Sequence, residues 1–225
     1  MSFLRKQLVA SPAHARVVPY VIILVLTLVQ DSFDGPLRYW LYLAKMLAGV
    51  WCIWEVRTLA SEVRWAVSWE AVTVGVLVCL LWVGLDPYYA KFQLLFNAGA
   101  PWNPFKQFGE NSAAGWLFVM VRIAGSALVV PPIEEAFYRS FLYRYFVRLK
   151  FTELPLSVVH WPSLIVTSLI FGFSHYQWLA GILCGLAYQW LVIRKNRLGD
   201  AMTAHAITNF LLGVWIVWKQ AWQFW

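Results

Sequence analysis

Apolar runs close to membrane-spanning length recur along this chain, and only short polar connections part them. They cover residues 17–29, 39–54, 66–85, 113–145, 155–174, 178–193 and 201–218. In lipid the backbone must satisfy its own hydrogen bonds, so such runs are read as helices. Composition agrees: 61% of the residues are hydrophobic and 13% are charged, against about 25% charged in a soluble domain. The 225 residues fit seven or eight spans of about 20 residues each, which leaves little room for a soluble domain. The expected fold is all-α: an integral, multi-pass transmembrane helical bundle of seven to eight spans, with the lipid bilayer as its surroundings.

The formal charge of +7 raises the question of nucleic acid. The basic residues sit between apolar runs and form no single stripe, so no nucleic-acid partner is expected and they are read as topology signals. Arg5, Lys6 and Arg16, then Arg57 and Arg64, then Arg144, Arg148 and Lys150, then Arg194, Lys195 and Arg197 fall on one side of a seven-span bundle. Arg38, Lys91, Lys106 and Lys219 fall on the other. The richer side is expected to be cytoplasmic, which puts the N-terminus there. The basic N-terminus ahead of an apolar run resembles a signal peptide. No small-x-small site follows Val29, so it is read as a retained first span. Cys52, Cys79 and Cys184 lie within apolar runs, form no CxxC, and are read as small buried hydrophobes. Residues 86–112, with Pro87, Pro101, Pro104, Gly99 and Gly109, are read as an interfacial loop with one short surface helix.

Polar chemistry concentrates in the second half, so the chain divides into 1–112, N-terminal spans and loop, and 113–225, a core that carries the candidate residues. Pro131-Pro132-Ile133-Glu134-Glu135-Ala136-Phe137-Tyr138-Arg139 follows a long apolar run. The prolines remove amide donors, so this stretch is expected to be one bent helix or two. Glu135 and Arg139 are i, i+4 neighbours, whereas Glu134 points about 100° away. Ionisable groups at this depth are costly and usually functional. Two further constellations follow: Phe171 and His175 on one helix face, and His205 with Asn209 at i, i+4. Together these residues imply a water-containing polar cavity. A carboxylate and a neutral histidine can share the activation of water. A histidine and an asparagine can donate to a developing oxyanion. No GxSxG or other nucleophile setting is present.

EExxxR (Glu134, Glu135, Arg139), FxxxH (Phe171, His175) and HxxxN (His205, Asn209), in this order in a polytopic chain, resemble the CPBP family. That is the CAAX-protease and bacteriocin-processing group of intramembrane proteases. The proline lead-in and Phe137-Tyr138 also resemble a bacterial branch, the CAAX prenyl protease-related proteins found with exosortase sorting systems. The resemblance implies an endopeptidase that cuts near the C-terminus of a membrane-associated protein or peptide, in a bacterial inner membrane. It implies that Glu134 and His175 activate water, that His205 and Asn209 stabilise the oxyanion, and that Glu135 and Arg139 form a supporting pair. No cofactor is expected. The alternative that the resemblance carries is zinc held by Glu134, His175 and His205.

Two other functions compete. One is a non-catalytic scaffold or bacteriocin-immunity-like protein that keeps the polar cluster for structure. The other is a transporter, which calls for paired broken helices, whereas only one proline break is present. One spacing also resists a shared site. If residues 178–193 cross fully, their rise of about 24 Å sets His175 and His205 near opposite faces. The two can meet only if the 155–174 run ends at mid-depth, the next helix tilts, or the bilayer is thin.

Overall fold

A computed structural model describes residues 3–91 and 101–225. Within them every regular element is helical: α1 (Phe3–Val9), α2 (His14–Asp31), α3 (Gly35–Val56), α4 (Trp69–Leu85), α5 (Pro104–Phe108), α6 (Ala113–Val147), α7 (Trp161–Phe173), α8 (Trp178–Lys195) and α9 (Gly199–Lys219). Four helices are long and apolar enough to cross a membrane: His14–Asp31, Trp69–Tyr88, Ala113–Val147 and Gly199–Lys219. α3 and α8 are 22 and 18 residues long but fall outside that group, and α7 is a shorter apolar helix. The short helix expected in the 86–112 loop is α5, started by Asn103, whose Oδ1 accepts from the amides of Phe105 and Lys106. Part of that loop, including Gly99, lies outside the described residues.

Polar contacts sort the helix ends into two sets. At one end Arg16 donates to Glu62 at 2.7 Å, Lys195 to Glu70 at 2.5 Å, and the Ser157 amide to Asn196 Oδ1 at 2.9 Å. There too Thr203 donates to the Ala66 carbonyl at 2.9 Å. At the other end Arg38 lies 3.8 Å from Asp31, and Trp178 donates to the Ala90 carbonyl at 3.0 Å. The Trp102 and Trp225 rings meet there at 5.6 Å. Helices α2, α4, α7 and α9 therefore run from the first end to the second, and α3, α6 and α8 run back.

α6 is one helix of 35 residues, so the prolines do not split it in two. Two π turns, Gly125–Val129 and Ala136–Leu142, absorb the irregularity. The Val130 amide reaches back five residues to Gly125. In that register the Ser126 carbonyl would receive the amide of residue 131, and Pro131 has none. Ser126 is thus left with a carbonyl that another element must satisfy.

The 155–174 run is only partly helical. His160 caps α7 by accepting the Ser163 amide, and Pro162 sits in the first turn, so the helix starts at Trp161. Thirteen residues rise about 20 Å, short of a 30 Å hydrocarbon core. α7 also lies against α8 backbone to backbone. A Cβ on Gly172 would come within 2.7 Å of the Trp178 carbonyl, and one on Gly181 within 2.9 Å of Gly172 Cα. One buried cluster joins both halves of the chain, with Val78 and Trp82 of α4 packed among Tyr138, Phe171, Tyr188 and Met202.

Candidate active site

The ring of Phe171 is the hub of the polar cluster. Its centroid is 4.6 Å from that of His175 and 6.3 Å from that of His205. The Arg139 guanidinium lies 4.3 Å over its face, and the Tyr138 ring meets it edge-on at 5.0 Å. Both histidines therefore sit against one side chain, and the spacing problem posed by the sequence is resolved. α7 stops short of a full span, and His175, in the turn after it, folds back onto its own helix.

Each histidine is anchored through Nδ1. His175 Nδ1 lies 2.7 Å from the Phe171 carbonyl. A carbonyl only accepts, so this nitrogen carries the proton and Nε2 of the neutral ring is an acceptor. Ser174 Oγ is 3.2 Å from the same Nδ1. It also receives a hydrogen bond from Tyr138 at 3.4 Å, and Tyr138 in turn is 2.6 Å from Tyr20 of α2. His205 Nδ1 is 2.9 Å from Glu135 Oε1. The other oxygen of Glu135 lies 3.2 Å from Arg139 Nε. Glu135 is 0% exposed; it fixes the histidine on one side and neutralises the arginine on the other.

Glu134, one position along, faces elsewhere. It lines a cavity of about 370 Å³ together with His175, His205, Asn209, Phe171 and Tyr188. Its Oε2 is shut off from solvent and has no hydrogen-bond partner among the described residues. Such an atom calls for an explanation, because leaving it unpaired costs stability. Asn209 donates to the Ser126 carbonyl at 2.8 Å, the group orphaned by Pro131. Its amide is thereby held in place, with one N–H left for the cavity. The proline pair and HxxxN, far apart in sequence, are one device.

The structure thus brings Glu134, His175, His205 and Asn209 to one cavity and sets Glu135 and Arg139 behind it. For zinc, three donors must converge on one point. Among the described residues no group of three or more His, Cys, Asp or Glu side chains is gathered closely enough to hold a metal ion. Glu134, His175 and His205 do not fit as a ligand set in this arrangement. Sequence reasoning missed several participants. Tyr20, Tyr138 and Ser174 form the hydrogen-bonded chain to His175, and nothing in their spacing marks it. Arg122, which also lines the cavity, did carry a signal: it is a lone cation inside an apolar run.

The cavity holds Glu134, Phe171, His175, His205 and Asn209 together, and these are taken as its floor. Its wall climbs past Thr27 and Cys184 to Asp31, Gln177 and Trp225 at the second polar end.

A family model described as Rce1-like, type II CAAX prenyl endopeptidase Rce1-like, matches residues 113–211. No curated protein and no solved structure matches the chain. The matched stretch holds α6 through most of α9, and with it Glu134, Phe171, His175, His205 and Asn209. Residues 113–211 are therefore similar to the Rce1-like type II CAAX prenyl endopeptidases of the CPBP family.

Proposed function

We propose that this protein is an intramembrane endopeptidase that adds water to a peptide bond near the C-terminus of a membrane-associated protein. The observation that carries this reading is Glu134 Oε2, buried, without a partner, and in one cavity with two histidines whose Nδ1 atoms are already engaged. A water between Glu134 and His175 Nε2 gives up a proton as its oxygen attacks the carbonyl carbon. The oxyanion that forms is met by the second N–H of Asn209, and by His205 Nε2–H when that ring carries both protons. The proton taken from water passes to the leaving amine, which departs as the C–N bond breaks. Glu135 and Arg139 do not touch the substrate; they hold His205 and Phe171.

The match of residues 113–211 to a CAAX prenyl endopeptidase family supports a lipid-anchored substrate tail, and the apolar faces of α2, α4, α6 and α9 support a site that such a tail reaches from the bilayer. The alternation of helix ends supports seven crossings, by α2, α3, α4, α6, α7, α8 and α9. The basic clusters at the first end support a cytoplasmic N-terminus; the bacterial inner membrane and the exosortase-associated branch rest on the resemblance of the proline lead-in and Phe137-Tyr138 alone. Cysteines placed one at a time at residues 6 and 220 and labelled in intact cells check the sidedness: only residue 220 should react from outside. For the activity itself, Glu134→Gln protein purified in detergent should fold as the parent does and cleave no member of a membrane-peptide library that the parent cuts. Wild-type turnover by this variant overturns the assignment.

A further inference from the structure

The cavity that holds Glu134 at its floor has a cationic upper wall. Arg122 of α6 lines it; its guanidinium lies 4.6 Å from the Tyr42 ring centroid and 5.2 Å from that of Trp102. Lys45 of α3, 6% exposed, approaches the same Tyr42 ring at 4.9 Å. Its Nζ donates to Thr27 Oγ1 at 3.1 Å, and Thr27 is itself a cavity residue. Two basic side chains thus share one aromatic ring at membrane depth. Among the described residues neither is within ion-pair distance of a carboxylate. Residues 92–100 contain no Asp or Glu. Asp31, the one acid on this stretch of wall, pairs with Arg38. Cations at this depth normally face a partner or a pathway, and cation–π contacts compensate only part of their lost hydration.

The geometry points to Arg122, backed by Lys45, as the anchoring site for an anion that enters with the substrate: the free α-carboxylate at its C-terminus. The choice of anion rests on the endopeptidase reading; the cationic wall does not. Twelve residues of α6 separate Arg122 from Glu134, a rise of about 18 Å. An extended peptide advances about 3.3 Å per residue, so a carboxylate held at Arg122 leaves about five residues between it and the floor. Guanidinium suits the task, because its planar fork matches a carboxylate with two parallel hydrogen bonds. The arrangement makes the enzyme a reader of chain ends: a tail without a free carboxylate loses its anchor.

The test uses two fluorescein-labelled, S-farnesylated ten-residue peptides, identical except that one ends as a free acid and the other as an amide. Binding is measured by fluorescence anisotropy on Glu134→Ala protein in detergent, so cleavage does not intrude. The acid should bind about tenfold or more tightly than the amide, as expected for a hydrogen bond to a charged group. Arg122→Gln should remove that preference, and Arg122→Lys, which keeps the charge, should retain part of it. Lys45→Met should reduce it. An acid that binds no better than its amide, or an Arg122→Gln protein that keeps the full preference, overturns the proposal. The endopeptidase reading fails separately, if wild-type protein cleaves neither peptide nor any library member.

Discussion

The floor of the cavity and its upper wall treat buried charge in opposite ways. At the floor the centre is an anion: Glu135 holds His205 through one oxygen and faces Arg139 with the other. Once that triad is closed, the charge left over is the carboxylate of Glu134. On the upper wall the centre is a ring: Tyr42 carries Arg122 and Lys45 against it, and the charge left over is positive. One region has a spare base, the other a spare cation, and the same space connects them. The comparison teaches that adjacent glutamates need not share a role. What separates them is that helix geometry turns Glu135 toward its i+4 arginine and Glu134 toward the void.

The comparison breaks most visibly at Glu134. Glu134→Ala should lower kcat by about 10²- to 10⁴-fold, the range for a general base, with little change in thermal unfolding. Glu135→Ala should lower stability first, with a fall in kcat that follows from the loss of His205's anchor. It strands Arg139 and frees His205, and removing one partner from a buried pair costs about 3–5 kcal/mol, readable as an early unfolding midpoint in detergent. Asn209→Ala removes an oxyanion donor and should cost about 10²- to 10³-fold in kcat. Pro131→Ala sharpens that result: a restored amide at 131 competes for the Ser126 carbonyl, so Asn209 loosens and kcat falls while substrate binding holds.

The smallest expected effect lies outside the membrane. Burial pushes the Glu62 carboxyl up, but Arg16 and the Ser140 hydroxyl outweigh it and hold it below the usual carboxylate range. A depressed value in the folded state means that the stabilisation is present above the ordinary carboxylate value near 4.5. It is lost as pH falls through the lower folded value. Arg144 also reaches Ser140, at 2.8 Å, so this contact ties the far end of α6 to α2. Glu62→Gln should cost about 1 kcal/mol at neutral pH and flatten the acid limb of an unfolding-versus-pH curve.

Much of this was legible before any coordinates. Recurring apolar runs imply helices because lipid permits little else, and the described residues form only helices. The order of EExxxR, FxxxH and HxxxN pointed to the family that the comparison with family models also finds. Other features were hidden for physical reasons. Residues 155–160 are apolar enough to read as helix, yet the His160 cap and Pro162 delay α7 until Trp161, and that delay is what lets His175 meet His205. The first π turn, Gly125–Val129, leaves no compositional mark, because it is α6's response to amides that Pro131 and Pro132 lack. In the sequence Phe171 only shares a helix face with His175, and the fold alone places it under Arg139 and between two histidines. The pairing of Lys45 with Arg122 joins two separate apolar runs, so spacing along the chain could not reveal it.

The central claim is that Glu134 and His175 act together on one water. A double-mutant cycle of Glu134→Ala and His175→Ala, read as kcat/KM on one cleaved library peptide, tests it most directly. Groups that act as a unit are strongly non-additive, so the account predicts that the double variant loses about as much as either single one. Losses that multiply, or a His175→Ala protein with wild-type turnover, would contradict it.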